Sequence, residues 1–167
     1  FVPSKTLLGT DILKNLLENN DENVVVTTSP FSDEKWVYLK ALQPDFAVIH
    51  AQYADEKGNV IIEGPKWDME MAKAAKTLFV TVEKIVSNDY IKNNVEKVTI
   101  PALYTDGVIE APYGAFPTCV YNFYDYGSEA LKEYARINQD EEDFKKYVEK
   151  NILNTKDHYG YLNKISD

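Results

Sequence analysis

The stretch that most constrains this chain is Pro44-Asp45-Phe46-Ala47-Val48-Ile49-His50-Ala51-Gln52, in which a four-residue apolar run gives way to the polar side chains His50 and Gln52. Strands covered by helices on both faces read as continuous apolar runs, and in open α/β sheets ligands gather beyond the carboxyl ends of the strands. His50 and Gln52 are therefore expected at the edge of a cleft. The turn Lys57-Gly58-Asn59 follows, where Gly58 can take a positive φ that other residues resist.

The same pattern repeats along the chain. Short β-branched runs at Val24 to Thr27, Val37 to Leu39, Phe46 to Ile49, Val60 to Ile62, Leu78 to Val82, Val98 to Ile100 and Val108 to Glu110 alternate with helical spacings. Such alternation predicts an α/β fold, an open and mostly parallel sheet with flanking helices. Trp67 to Lys76 reads as a helix, so Val60 to Val82 is expected to form a βαβ crossover. Beyond residue 128 the character changes. Ser128 to Ile137 and Asp140 to Leu153 are both helical, with Asp140 placed to cap the second and Phe144, Tyr147, Val148 and Ile152 on one stripe. Residues 128–167 are expected to cap the sheet within a single domain spanning 1–167.

Composition narrows the class of partner. With 167 residues, 44% of them hydrophobic, the chain can fill one core, and no segment reaches the roughly 20 apolar residues that cross a bilayer. A net charge of −9, with Arg136 the only arginine, leaves no basic stripe for nucleic acid. The lone Cys119 cannot form an internal disulfide and no cysteine-based metal cluster is present, which fits a reducing cytoplasm. The chain opens on Phe1-Val2-Pro3-Ser4-Lys5 without the features of a targeting segment, so it is expected to begin inside a larger protein.

Aromatic residues crowd one region. Tyr104, Tyr113, Phe116, Tyr121, Phe123, Tyr124 and Tyr126 surround the loop Glu110-Ala111-Pro112-Tyr113-Gly114-Ala115-Phe116-Pro117. Tyrosine offers contact area with a polar tip and suits pocket walls and interfaces, although a loop packed down by its own aromatics has the same composition.

These segments, taken in order, resemble a known family. Phe1-Val2-Pro3 with Leu8-Gly9-Thr10-Asp11, Pro44 to Val60, Ala72 to Val86 with Val80-Thr81-Val82-Glu83-Lys84-Ile85-Val86, Glu110 to Pro117, Tyr121 to Tyr126 and Asp157 to Leu162 are similar to the C-terminal portion of the A subunit of class I coenzyme A transferases of the glutaconate type. The resemblance implies a fold shared with sugar-phosphate isomerases, although no phosphate-cradling glycine loop opens a helix here. It also implies transfer of coenzyme A from an acyl thioester to a free carboxylic or dicarboxylic acid, with the thioester as substrate and no tightly bound cofactor or metal. The nucleophilic glutamate, which becomes a glutamyl-coenzyme A thioester, belongs in such enzymes to a B-type partner subunit, so no catalytic residue is expected in this chain and a hetero-oligomer is. Glu63, before Gly64, is expected as a strand-end carboxylate facing solvent or an interface.

The candidates for binding substrate or partner are His50, Gln52, Tyr113, Gly114 and Phe116. His50 and Gln52 could orient an acyl carboxylate or hydrogen-bond a loop, whereas a histidine satisfied by a neighbouring backbone carbonyl is the structural alternative. Gly9, Thr10 and Asp11 are expected to set a turn and a helix start. A hydrolase of coenzyme A thioesters from the same family and a non-catalytic metabolite-binding module are the other functional readings.

Overall fold

The computed structural model describes residues 1–165. Where the sequence reading groups all residues in one domain, the contacts group them into two compact units, Phe1–Gln43 and Pro44–Asp167.

The first unit is a three-stranded antiparallel sheet, β1 (Val2–Ser4), β2 (Val24–Thr28) and β3 (Lys35–Leu39) in the order β1-β3-β2, with helix α1 (Asp11–Glu18). Thr10 starts α1 by accepting a hydrogen bond from the Leu13 N–H on its Oγ1, and Gly9 turns into it at φ +78°. Leu13, Val24 and Val37 form its small core.

The second unit carries the site. Its mixed sheet has the order β7-β5-β4-β6-β8, built from β4 (Phe46–Asp55), β5 (Val60–Ile61), β6 (Thr77–Val86), β7 (Val98–Ile100) and β8 (Gly107–Glu110). Strands β4, β6 and β8 run parallel, whereas β5 is antiparallel to both β4 and β7. Two expectations are corrected here. Val60 to Val82 is not a βαβ crossover, because β5 folds back on β4 through the Gly58 turn, and the parallel pair joined across helix α2 (Met69–Ala74) is β4 with β6. His50 and Gln52 do not lie past the end of a strand either. Backbone pairing with β6 continues to Asp55, since polar side chains do not interrupt a ladder made by the main chain.

Helix α2 is shorter than Trp67 to Lys76. Asp68 makes no side-chain cap, and Ala75 is already extended at ψ 149° as the chain enters β6. Ala72 on α2 packs with Ala47, Ile49, Ala51, Leu78, Val80 and Val82, the odd positions of β4 and even positions of β6, which share one sheet face. On the opposite face the amino-terminal half of the strands is open: Phe46, Val48, Phe79 and Ile109 are 70, 65, 38 and 53% exposed. Phe79 lies over Gly107, where an added Cβ would come within 2.8 Å of its ring.

The carboxyl-terminal third is helical, with α4 (Ser128–Ile137), α5 (Glu141–Val148) and α6 (His158–Ile165), besides the short α3 (Asn88–Lys92) after β6. Asp140 caps α5 by accepting from the Asp143 N–H, and α5 runs on into a π-helical turn, Glu149–Leu153. Tyr134 meets Phe144 and Tyr147 edge-on across α4 and α5. Of the expected stripe, Tyr147 and Val148 are half-buried, whereas Phe144 on α5 and Ile152 in the π-helical turn are exposed.

Candidate functional site

Period-two alternation puts His50 and Gln52 of β4 on the same sheet face as Thr81 and Glu83 of β6, with His50 directly opposite Thr81 in the parallel register. The imidazole is held at both nitrogens. Nδ1 lies 2.8 Å from Thr81 Oγ1 and Nε2 lies 2.6 Å from Glu83 Oε1. A carboxylate only accepts, so Nε2 carries the hydrogen it donates. His50 is thus satisfied by two side chains rather than by a backbone carbonyl.

Glu83 is the hub of the arrangement. Its side chain is only 2% exposed, and it accepts from three separate segments: His50 Nε2 and the Tyr124 hydroxyl, at 2.8 Å, on Oε1, and the Tyr113 N–H, at 2.8 Å, on Oε2. Burial and the hydrogen bond to Glu83 push the Tyr124 phenol well above the ordinary tyrosine range. The same hydroxyl accepts the Ala115 N–H at 3.1 Å.

Loop 111–117 follows β8 and folds over this polar line. Tyr113 adopts φ +58° and stacks on Tyr124 with ring centroids 4.6 Å apart, leaving 47% of its surface exposed. Gly114 lies against the imidazole, and a Cβ there would come within 2.9 Å of His50 Cε1 and 2.7 Å of the Ala111 carbonyl. That approach admits no side chain. Every N–H from Tyr113 to Phe116 is spent: on Glu83, the Ala111 carbonyl, the Tyr124 hydroxyl and the Tyr113 carbonyl in turn. Phe116, followed by a cis peptide bond to Pro117, packs over Gly127. From the other side α6 grips the loop, His158 Nε2 donating to the Pro112 carbonyl at 2.7 Å and the Tyr161 hydroxyl to the Phe116 carbonyl at 3.0 Å.

Gln52 is buried and its amide is fully committed. Its Oε1 accepts the Glu63 N–H at 2.9 Å, and its Nε2 donates to the carbonyls of Glu63 and Tyr121. It ties the segment after β5 to the aromatic segment, whose Tyr121 ring covers Gly64 at φ +83°. The half-buried Glu63 carboxylate accepts from Asn122 Nδ2 at 3.0 Å. Beside these residues a cavity of about 540 Å³ is lined by Pro65, Cys119, Tyr121, Phe123 and Tyr124. Among the described residues no group of three His, Cys, Asp or Glu is placed to hold a metal ion.

The structure therefore brings His50, Tyr113 and Gly114 into one cluster, with Phe116 at the far end of the same loop and Gln52 turned to a neighbouring one. Sequence reasoning missed Glu83, Thr81 and Tyr124. A charged residue between Val82 and Lys84 in a β-branched run is the signal that could have singled out Glu83, because strand interiors hold a carboxylate only when donors await it.

Comparison with known proteins gives this geometry a family. The family described as Coenzyme A transferase matches residues 3–111, and the chain belongs to it. It is 38% identical over 160 residues to the A subunit of glutaconate CoA-transferase from Acidaminococcus fermentans, covering 95% of this chain and 50% of that protein. It is 32% identical to the A subunit of 3-oxoadipate CoA-transferase from Pseudomonas knackmussii, covering 100% of this chain and 57% of that one. The crystal structure of glutaconate coenzyme A-transferase from Acidaminococcus fermentans superposes with a TM-score of 0.90 at 35% identity, over 99% of this chain and 56% of that chain. The chain thus spans about half the length of the curated relatives it matches.

Proposed function

We propose that this chain is part of an A-type subunit of a coenzyme A transferase and forms one wall of the cleft in which coenzyme A passes from an acyl thioester to a free carboxylic acid. The observation that carries the reading is the network of His50, Glu83, Tyr124 and the Tyr113 N–H, which seats an aromatic loop on the sheet of a chain from this family.

The chemistry divides between two polypeptides. A glutamate of a B-type partner attacks the acyl carbon and expels coenzyme A as thiolate, giving a mixed anhydride. The thiolate then attacks the glutamyl carbonyl, releases the acyl group as a carboxylate and leaves a glutamyl thioester. An incoming acid reverses the two steps. Neither well-placed carboxylate of this chain suits the nucleophile's part. Glu83 is sealed under three donors, and Glu63 is held by Asn122. In this reading Tyr113 supplies an apolar ring with a polar tip to the acyl group, and Gly114 lets the loop close on His50. Arg136, in the last turn of α4, lines a cavity with Glu133 and Asp143, so the distal carboxylate of a dicarboxylic substrate meets lysine, hydroxyls or the partner instead.

The test is to produce the protein with a B-type partner, add acyl-coenzyme A and trap with borohydride. One glutamate of the partner should be reduced, and none here; reduction of Glu63 or Glu83 would reverse the assignment. Tyr113→Ala should impair transfer or assembly, while Tyr159→Ala on the outer face of α6 should not.

A further inference from the structure

We propose that Glu83 is the positioning residue of this site, setting the seat of Tyr113 and the hydrogen-bonding state of the His50 ring together. The proposal rests on the reading of loop 111–117 as a cleft wall and adds the group that holds that wall in place.

Burial makes Glu83 dependent on its partners. No Lys or Arg among the described residues forms a salt bridge with it, and a carboxylate removed from water without a cation is costly unless strong donors replace its hydration. Three donors do so here, one each from β4, from the loop after β8 and from the segment that follows it. Dependence runs both ways. Without the carboxylate, an imidazole N–H, a phenol and a backbone N–H lose their acceptor at once, and loop 111–117 loses its tie to the Glu83 side chain of β6.

The second consequence is chemical. Because Glu83 only accepts, it selects the Nε2–H form of His50, and Nδ1 is left facing Thr81 Oγ1. The threonine hydroxyl can answer either ring state. It donates to Nδ1 when that nitrogen carries a lone pair, or accepts from an Nδ1–H and turns its own hydrogen to the Ile49 carbonyl, 3.2 Å away. A glutamine at position 83 keeps one acceptor oxygen, which the Tyr113 N–H, able only to donate, holds on its own side; the NH2 then faces Nε2, and the ring has to move its hydrogen to Nδ1. Glu83 thereby controls which edge of the imidazole is polarised beneath Gly114.

Two variants of the full chain separate these roles. In Glu83→Gln the fold should persist while the nitrogen-15 spectrum of His50 changes from the Nε2–H to the Nδ1–H pattern. In Glu83→Ala the Tyr113 amide should exchange about ten- to a hundredfold faster, the factor that loss of a hydrogen bond to a charged group corresponds to. In complex with a B-type partner, Glu83→Ala should raise KM for acyl-coenzyme A about tenfold and leave kcat little changed. An Nδ1–H pattern in the wild type, or an unchanged spectrum in Glu83→Gln, would overturn the proposal even where Glu83→Ala fails to fold. An unchanged Tyr113 amide in a folded Glu83→Ala would overturn it as well. If spectrum and exchange respond as stated while the kinetics stay at wild-type values, Glu83 positions the loop and it is the cleft-wall reading that fails.

Discussion

At the scale of single residues, Tyr124 and Asp55 respond to pH in opposite senses. Burial and the Glu83 hydrogen bond raise the Tyr124 phenol above its ordinary 10.0, so the folded chain keeps that proton where the unfolded chain loses it. The stability it contributes is complete below about pH 10 and is lost as pH rises toward the raised value. Tyr124→Phe should lower stability by about 1–3 kcal/mol at neutral pH by leaving Glu83 short of a donor, and its deficit should narrow above pH 10 in urea titrations against the wild type. For Asp55, burial works to raise the carboxyl. Hydrogen bonds from Asn59, Asn88 and the Lys57 and Asn59 backbones outweigh it and hold the group below its ordinary 3.8. Its contribution is present above that value and lost as pH falls through the lowered one, so Asp55→Asn should be less stable at neutral pH and show a flatter acid limb. His50 was legible in the sequence as the polar end of an apolar run, and Gly114 as part of a proline-flanked loop rich in aromatics. Glu83 was not linked to them, because its side-chain partners His50 and Tyr124 lie 33 and 41 residues away, a separation that no local pattern encodes.

Among the elements, the strands from β2 onward could be read from their β-branched runs, but β1 (Val2–Ser4) and the pairing could not. Val60–Ile61 looks like the start of a crossover because a helix follows it, and only the positive φ of Gly58, with Asp55 gathering the N–H groups of the turn, folds it back on β4. Strand β4 also outlasts its apolar run, since a buried polar side chain with a waiting partner fits a ladder as well as valine does. The loop after β8 offers the sharpest test at this scale. Gly114→Ala should cost about 1–3 kcal/mol by forcing the turn off His50, read from the denaturation midpoint. Tyr161→Phe, which removes the α6 tether to Phe116, should cost about 0.5–1.5 kcal/mol and speed amide exchange in the loop without moving that of β4.

For the whole molecule, the family and an exposed apolar surface could be expected from the order of weak motifs, while which face of the second sheet lies open could not. The runs at Phe46 to Ile49 and Leu78 to Val82 suggest strands covered on both sides, yet Phe46, Val48, Phe79 and Ile109 meet solvent. Apolar patches of this kind drive association. The isolated chain should therefore self-associate in sedimentation experiments, and Val48→Lys with Ile109→Lys should shift it toward monomer without altering the His50 spectrum. The loop on that face carries a further consequence. With each amide from Tyr113 to Phe116 already engaged, the turn has no free N–H for an oxygen that gains charge in the acyl exchange proposed above. Under the proposed function such an oxyanion is met by another stretch of polypeptide, so replacing the turn's side chains should resize the opening for different acids while the charge compensation stays untouched.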